Sequence, residues 1–394
     1  MTPSFLHRIV PTGALRKLEG EETPRVTNME LFFDLVYVFS IIQLSHYLLA
    51  HQTAIGALEA FTLFAAVWWS WNYTAWATNW INPDHLSGRI LMIALMACAL
   101  AMAIAMPSAF TAKASLFVGA YVVMALLRAT FMALLFRGSR MGRNYAQLGA
   151  WSALSSVFWI AGVVFPECRL ALWIIAVIVD YAAPYVGFWL PRLGATPMGT
   201  WPLRGLHLLE RNQQVFIIAL GESILLLGGL LSEQALTPAP AVAAAIGFLM
   251  IVTLWWLYFV HATETGERRF SSASDHARLA RAGLAYAHGI MVCGAITMAV
   301  AIEEIVAHPT AAMHLPAIVI AIVGPTLFLI GGMVFFRVMA QKIPKAYGIA
   351  TALLIALGYL ASVLHLPGLL MGGGILLILL MLATFMQLRC EQDG

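Results

Sequence analysis

The sequence predicts an all-α fold: a polytopic membrane helical bundle with both termini in the cytoplasm. Composition is the first reason. Of 394 residues, 61% are hydrophobic and only 10% are charged, well outside the range of a soluble domain. Run length is the second. About twelve apolar stretches are long enough to cross the hydrocarbon core, which takes roughly 20 helical residues. Charge placement is the third. When the gaps between apolar runs are numbered from the N-terminus, 19 of the 22 Lys and Arg fall in every second gap. Only Lys113 and Arg169 occupy the other gaps, and Arg128 lies inside an apolar run. Positive charge is retained on the cytoplasmic side, so an even number of crossings is expected.

The expected helices are 29–50, 55–78, 88–110, 114–137, 145–165 and 169–190, then 211–232, 240–262, 280–304, 313–339, 344–365 and 368–389. A polar arm of 28 residues precedes them; it lacks the apolar core of a signal peptide. Residues 191–210 read as a cytoplasmic linker between two six-helix halves, 29–190 and 211–389, and 390–394 as a cytoplasmic tail. The longest other polar stretch is 263–279. The halves echo one another: Glu30 and Glu210, Trp68-Trp69 and Trp255-Trp256, Cys98 and Cys293 recur at drifting offsets. A 6+6 parallel internal repeat follows, related by an axis along the membrane normal.

Within this frame a few residues are costly to keep. Arg128, Asp180 and Glu222 fall near mid-depth, where each charge costs roughly 2.5–3.5 kcal/mol on insertion scales. Facing lipid, they would together cost on the order of 8–10 kcal/mol, as much as a protein's net stability. They are expected to face the interior, with Arg128 paired to at least one carboxylate and the surplus acid free to exchange a proton. The bland reading is a structural ion pair that orients helices.

Glu30 and Asp34 share a face one turn apart at the positive end of a helix dipole. Asn28 is the first candidate cap, with Thr27 beside it. Asn72 and Tyr73 reach a similar depth in a stripe with Trp69, Trp76 and Trp80. Those tryptophans read first as interfacial anchors. His207, Glu210 and Arg211 form a cluster at the cytoplasmic mouth of the seventh helix. A lone His-x-x-Glu pair is weak evidence for metal, and no metal or cofactor is assigned. Gln213, Gln214 and Ser223 add polar surface to the same helix. His46, His288 and His365 show no partner in sequence and read as packed or interfacial. Pro184 is expected to kink the sixth helix, and Gly228-Gly229, Gly331-Gly332 and Gly372–Gly374 to let helices approach closely. Four scattered cysteines, Cys98, Cys168, Cys293 and Cys390, offer neither a disulfide framework nor zinc spacing. No basic stripe with interleaved aromatics points to nucleic acid.

Glu30-Leu-Phe-Phe-Asp34-Leu-Val-Tyr-Val-Phe, the Trp68 to Asn82 segment, Arg89, Asp180 to Pro184, His207-Leu-Leu-Glu210-Arg211 and Ile217 to Ser223 resemble the bacterial low temperature requirement protein A family. This chain departs from the family pattern after Arg211, where Asn212-Gln213-Gln214 stands in place of Phe-Gly-Leu. The resemblance implies a multi-pass protein of the bacterial inner membrane without an assigned substrate. The function expected here is transport of a small solute or ion, proton-coupled if an acid remains unpaired. Arg128, Asp180 and Glu222 would form the site and Asp34, Asn72 and Tyr73 its cytoplasmic approach, with Glu30 and Ser223 on the same pathway. Two other readings compete. One is an ion channel, since Phe33-Asp34 is faintly similar to a motif of two-repeat endosomal potassium channels. The other is an intramembrane lipid-modifying enzyme built from Glu30, Asp34, His207 and Glu210, although no nucleophile motif accompanies them. The bilayer is the expected partner, and a homo-oligomer is compatible with the sequence.

Overall fold

The computed structural model describes residues 14–15, 26–233 and 237–393, with the side chains of Glu233 and of residues from Cys390 onward left out. Arg8, Arg16, Lys17 and Arg25 of the N-terminal arm lie outside the described residues. Among those described, there are twelve long helices and no strand. They are α1 (Asn28–Ala50), α2 (Ala54–Thr78), α3 (Leu86–Ala105), α4 (Ala114–Leu135), α5 (Arg140–Val164) and α6 (Arg169–Ala182). Then follow α7 (Gly205–Glu233), α8 (Pro238–Ser272), α9 (His276–Ala307), α10 (Leu315–Met339), α11 (Lys345–Leu364) and α12 (Gly368–Asp393). Eleven of them are long and apolar enough to cross a membrane.

The exception is α6. Its 14 residues rise about 21 Å, short of the roughly 30 Å hydrocarbon core. Pro184 ends the helix instead of kinking it. It has no N–H to offer the Asp180 carbonyl, and its ring crowds the preceding turn. Successive turns continue to Leu190, with Gly187 at φ +63° and Phe188 at φ +51°. Three other bounds differ from expectation. Helix α7 begins at Gly205, so His207 and Glu210 stand on its first two turns. Helix α5 begins at Arg140, where Ser139 accepts from Gly142 N–H as its cap. Helix α8 runs on to Ser272 through a π-helical stretch, Leu257–Ala262, leaving little of the expected loop at 263–279.

The chain divides into two compact units. The first contains α1 to Leu44, α2 from Leu58, α3–α6, the start of α7 to Arg211, and residues 275–281. The second contains residues 45–57, 212–274 and 282–394. In the first unit, α3, α4, α5 and α6 pack in sequence, and α2 lies against α6 through stacked Trp69 and Tyr181 rings 3.9 Å apart. The burial pattern is that of a membrane protein. In the first part of α1, as far as Ile41, the buried positions are Glu30, Phe33, Asp34, Tyr37, Ser40 and Ile41, while Leu31, Phe32 and Leu35 are exposed. Lipid tails solvate exposed Leu and Phe as well as the interior does, so the polar residues are the ones turned inward.

The tryptophans of α2 correct the anchor reading. Trp68, Trp69, Trp71 and Trp80 are all buried. Trp71 Nε1 donates to Asp34 Oδ1 and Trp80 Nε1 to the Pro202 carbonyl, so their polar atoms are used internally. Trp255 and Trp256 are instead substantially exposed.

In the second unit, α9 packs against α10 and α8, and α12 against α8 and α11. A π-helical stretch at Ala280–Ala287 sits beside His288, which is not without partners. Its Nδ1 lies 2.8 Å from the Gly283 carbonyl and its Nε2 2.8 Å from Tyr258 Oη, so Tyr258 O–H donates to a neutral ring. Close approach of α9 and α10 rests on Gly294 and Gly324. A Cβ on Gly294 would stand 2.4 Å from Phe328 N. Of the glycines expected to mediate packing, Gly331, Gly332, Gly372 and Gly374 face neighbouring atoms, whereas Gly228, Gly229 and Gly373 face open space.

Gly294→Ala should therefore cost about 1–3 kcal/mol by overpacking, read as a lower thermal midpoint in detergent. Gly228→Ala should hold or raise that midpoint, because helical Ala is favoured over Gly by up to about 1 kcal/mol.

Candidate functional site

The first unit buries several charged side chains, and two centres among them are built in most detail. One begins at the N-terminus of α1, where Thr27, not Asn28, is the cap. Glu30 N–H donates to Thr27 Oγ1 at 3.3 Å, and Thr27 N–H donates to Glu30 Oε2 at 3.0 Å. This reciprocal pair is a capping box, the T-x-x-E signature of a helix start. It turns Glu30 Oε1 inward. Arg211, from α7, then bridges the two acids. Its Nε and Nη2 donate to Asp34 Oδ2 and Oδ1 at 3.0 and 2.5 Å. Its Nη1 donates to Glu30 Oε1 and to Thr78 Oγ1, both at 3.1 Å. Trp71 Nε1 adds a 2.8 Å bond to Asp34. Trp71 and Thr78 are two turns apart, so a single face of α2 closes this clasp.

His207 joins through Glu30. Asn79 fixes its tautomer: Asn79 Oδ1 accepts Arg204 N–H at 2.9 Å, and its Nδ2 donates to the Arg204 carbonyl at 3.1 Å. That orientation presents Asn79 Nδ2 as a donor to His207 Nδ1, 3.2 Å away. The ring proton therefore sits on Nε2, which lies 3.2 Å from Glu30 Oε1. This last pair is a close electrostatic contact between buried groups. Glu30, Asp34, His207 and Arg211 are all almost fully buried, and Glu210 is half-buried on the same helix. His207 and Arg211 of the predicted mouth cluster thus converge with the two α1 acids, but as a closed clasp whose carboxylates are engaged by a guanidinium. Such an arrangement locks α1, α2 and α7 together. It leaves neither acid free for the acid–base work of a lipid enzyme.

The second centre is Arg128 on α4, 1% exposed. Among the described residues no carboxylate lies within ion-pair distance, contrary to the pairing expected from sequence. Nη1 donates to the Ser70 carbonyl and to Thr74 Oγ1, both at 3.0 Å. The guanidinium lies over the Tyr73 ring at 5.3 Å, a contact worth about 0.5–2 kcal/mol. Among the described residues its Nε has no acceptor, and buried Tyr145 Oη has no partner either. The groups that act on it electrostatically include the phenols of Tyr37, Tyr121 and Tyr145.

Asp180 is held elsewhere. Tyr121 O–H donates to its Oδ2 at 2.6 Å and Trp159 Nε1 at 3.4 Å. Tyr121 stands two turns before Arg128 on α4, a rise of about 10 Å. The Arg128 charge acts on Asp180 without ion-pair contact between them. A guanidinium cannot shed its proton, so Arg128 keeps a charge that its immediate neighbours do not cancel.

In the second unit, Glu222 on α7 is 1% exposed, and neither carboxylate oxygen has a hydrogen-bond partner. Ser45 Oγ acts on it but is not in an aligned hydrogen bond. Ser223 is buried and donates back to the Ala219 carbonyl at 3.4 Å. Asn72, in the first unit, is buried on α2 beside Tyr73. Sequence reasoning missed Thr78, Tyr121, Tyr145 and Glu303. Only Glu303 left a signal, as half of an acidic pair inside an apolar run. Among the described residues, no three His, Cys, Asp or Glu side chains converge as a metal site. Two grooves in the second unit, of about 250 and 400 Å³, are lined mainly by apolar side chains of α8, α11 and α12 and touch none of these charges.

Helix number, apolar exposure and inward-turned charge define a polytopic α-helical integral membrane protein. The family model of the bacterial low temperature requirement A protein (LtrA) matches residues 25–384, and the chain belongs to that family. It is similar to the protein RA0937 of Rhizobium meliloti (strain 1021), described as uncharacterized, with 34% identity over 349 residues, 88% of this chain and 85% of that protein. No solved structure matches.

Truncating one partner of a buried ion pair strands the other and costs about 3–5 kcal/mol. Arg211→Met should therefore lower the thermal midpoint in detergent sharply, and adding Asp34→Leu should recover part of the loss. A neutral single variant would contradict the clasp.

Proposed function

We propose that this protein is a carrier of a small anionic solute in the bacterial inner membrane, with Arg128 as the residue that receives the anion. The observation that carries this reading is a fully buried guanidinium with an unsatisfied Nε and no acid in contact. Burying such a charge without compensation costs several kcal/mol, and a bound anion is the group that would offset it. Tyr145 Oη, also unsatisfied, is a donor available to the same ligand. Tyr73 supplies a π face behind the guanidinium, and the Ser70 carbonyl and Thr74 hold it in place. Asp180, pinned by Tyr121 and Trp159, stays near enough to moderate the charge yet too far to quench it.

In this reading Asp34 and Glu30 have a different task from the approach route expected of them. Their clasp with Arg211 fixes the frame against which α4 presents Arg128. The alternating Lys and Arg support cytoplasmic termini, and the echo between 29–190 and 211–389 supports a parallel repeat of the kind common in carriers.

The test is ligand-induced stabilisation of the purified protein against chloride, phosphate, acetate and succinate, followed by uptake of any stabilising anion into proteoliposomes. At least one anion should raise the thermal midpoint of the wild type. Arg128→Gln should weaken that binding at least about 30-fold, because losing a buried charge partner costs 2 kcal/mol or more. Arg128→Lys should retain part of it. Failure of every anion to stabilise the wild type, or equal binding by Arg128→Gln, would refute the assignment.

A further inference from the structure

The carrier reading makes no use of Glu222, the most isolated acid in the second unit. Both of its oxygens are unpartnered at 1% exposure. The side chains that act on it are Ser45 on α1 and Glu303 on α9. Glu303 is half-buried, its Oε2 is unpartnered, and its charged neighbour is Glu304. Glu304 accepts a hydrogen bond from Gln52 Nε2 and lies 4.0 Å from His314 Nε2. His314 is 56% exposed at its side chain, against 12% for Glu304. Among the described residues no Lys or Arg pairs with any of these acids.

These residues form a graded series from surface to interior. Gln52 lies in the loop after α1, and Ser45 is seven residues earlier on that helix, about 10 Å deeper. Glu303 stands about 6 Å from the C-terminal end of α9, and Glu222 about 16 Å from that of α7. Polar atoms stand along this route, and several lack an aligned partner among the described residues: Ser45 Oγ, Gln52 Oε1, Glu303 Oε2 and both oxygens of Glu222. Buried polar groups are satisfied in stable structures. A series of unsatisfied acceptors leading inward calls for protons or ordered water. A structural role would instead have placed a cation against Glu222, as Arg211 is placed against Asp34; among the described residues the donor that acts on it is the neutral Ser45 hydroxyl.

We infer that Glu222 is the inner end of a proton pathway confined to the second unit, with Glu303 as its relay and Glu304, Gln52 and His314 as its mouth beside the α1–α2 loop. A proton arriving at Glu304 passes to the Glu303 carboxylate and on to Glu222, each carboxyl becoming a carboxylate as it hands its proton inward. The charge pattern puts this mouth on the side away from the cytoplasm, so the pathway would report the external pH. Its use as a coupling site rests on the carrier reading; its existence does not.

Carbodiimides modify protonated carboxyls in apolar surroundings, so dicyclohexylcarbodiimide labelling of the full chain in proteoliposomes, located by mass spectrometry, is the test. Glu222 should be labelled, and its rate should fall at least several-fold between pH 5 and pH 9. Glu303→Gln should make that rate several-fold less responsive to pH, whereas Glu167→Gln, at an exposed position in the first unit, should leave it unchanged. No labelling of Glu222 at any pH, or a response in Glu303→Gln identical to wild type, would overturn the pathway. Labelling that persists while no anion binds at Arg128 would defeat the carrier reading alone. Anion binding without labelling would defeat only the pathway.

Discussion

Charge buried in hydrocarbon must be met by something, and how each charge is met organises this molecule. Glu30, Asp34 and Arg211 meet one another at 2.5–3.1 Å, with Thr27, Trp71 and Thr78 completing the shell. Arg128 is met by a carbonyl, a hydroxyl and an aromatic face, and Asp180 by a phenol and an indole. Glu222 is met by no aligned donor. Low dielectric strengthens a satisfied network and penalises an unsatisfied one. The contrast therefore separates groups whose task ends with folding from groups whose partner is still to come.

Helix ends matter as much as helix faces in this arrangement. The capping box at Thr27 fixes the rotamer of Glu30, which lets Arg211 reach both acids at once. The Asn79–Arg204 pair sets the His207 tautomer and ties the end of α2 to the segment leading into α7. Within the first unit, α2 serves two centres from adjacent faces, Trp71 and Thr78 on one and Ser70, Tyr73 and Thr74 on the other. A shift of α2 would be felt by the clasp and by Arg128 together.

Much of the fold was legible from residue order because the bilayer imposes a length. Apolar runs near 20 residues mark the helices, and even the short α6 began where expected. Its end was not foreseen, since Pro184 is tolerated as a kink in some membrane helices and terminates this one. The tryptophans of α2 were misjudged for a related reason. Periodicity shows that they share a stripe, but it cannot distinguish a lipid-facing stripe from an inward one. The candidate residues Arg128, Asp180 and Glu222 were found by cost alone, because charge in an apolar run needs explaining. Their partners were not, since Arg211 and Asp34 are 177 positions apart and nothing local announces the bond. The same limit made Arg128 and Asp180 look like a pair, when Tyr121 and Trp159 hold the acid two turns away.

The claim that most depends on these contacts is that Arg128 awaits a ligand. A cryo-electron microscopy map of the protein in lipid nanodiscs, at a resolution that separates side chains from bound ions, tests it directly. The account predicts non-protein density against Arg128 Nε, with Asp180 still bonded to Tyr121. Arg128 seated on the Asp180 carboxylate in a dry, close-packed interior would contradict it.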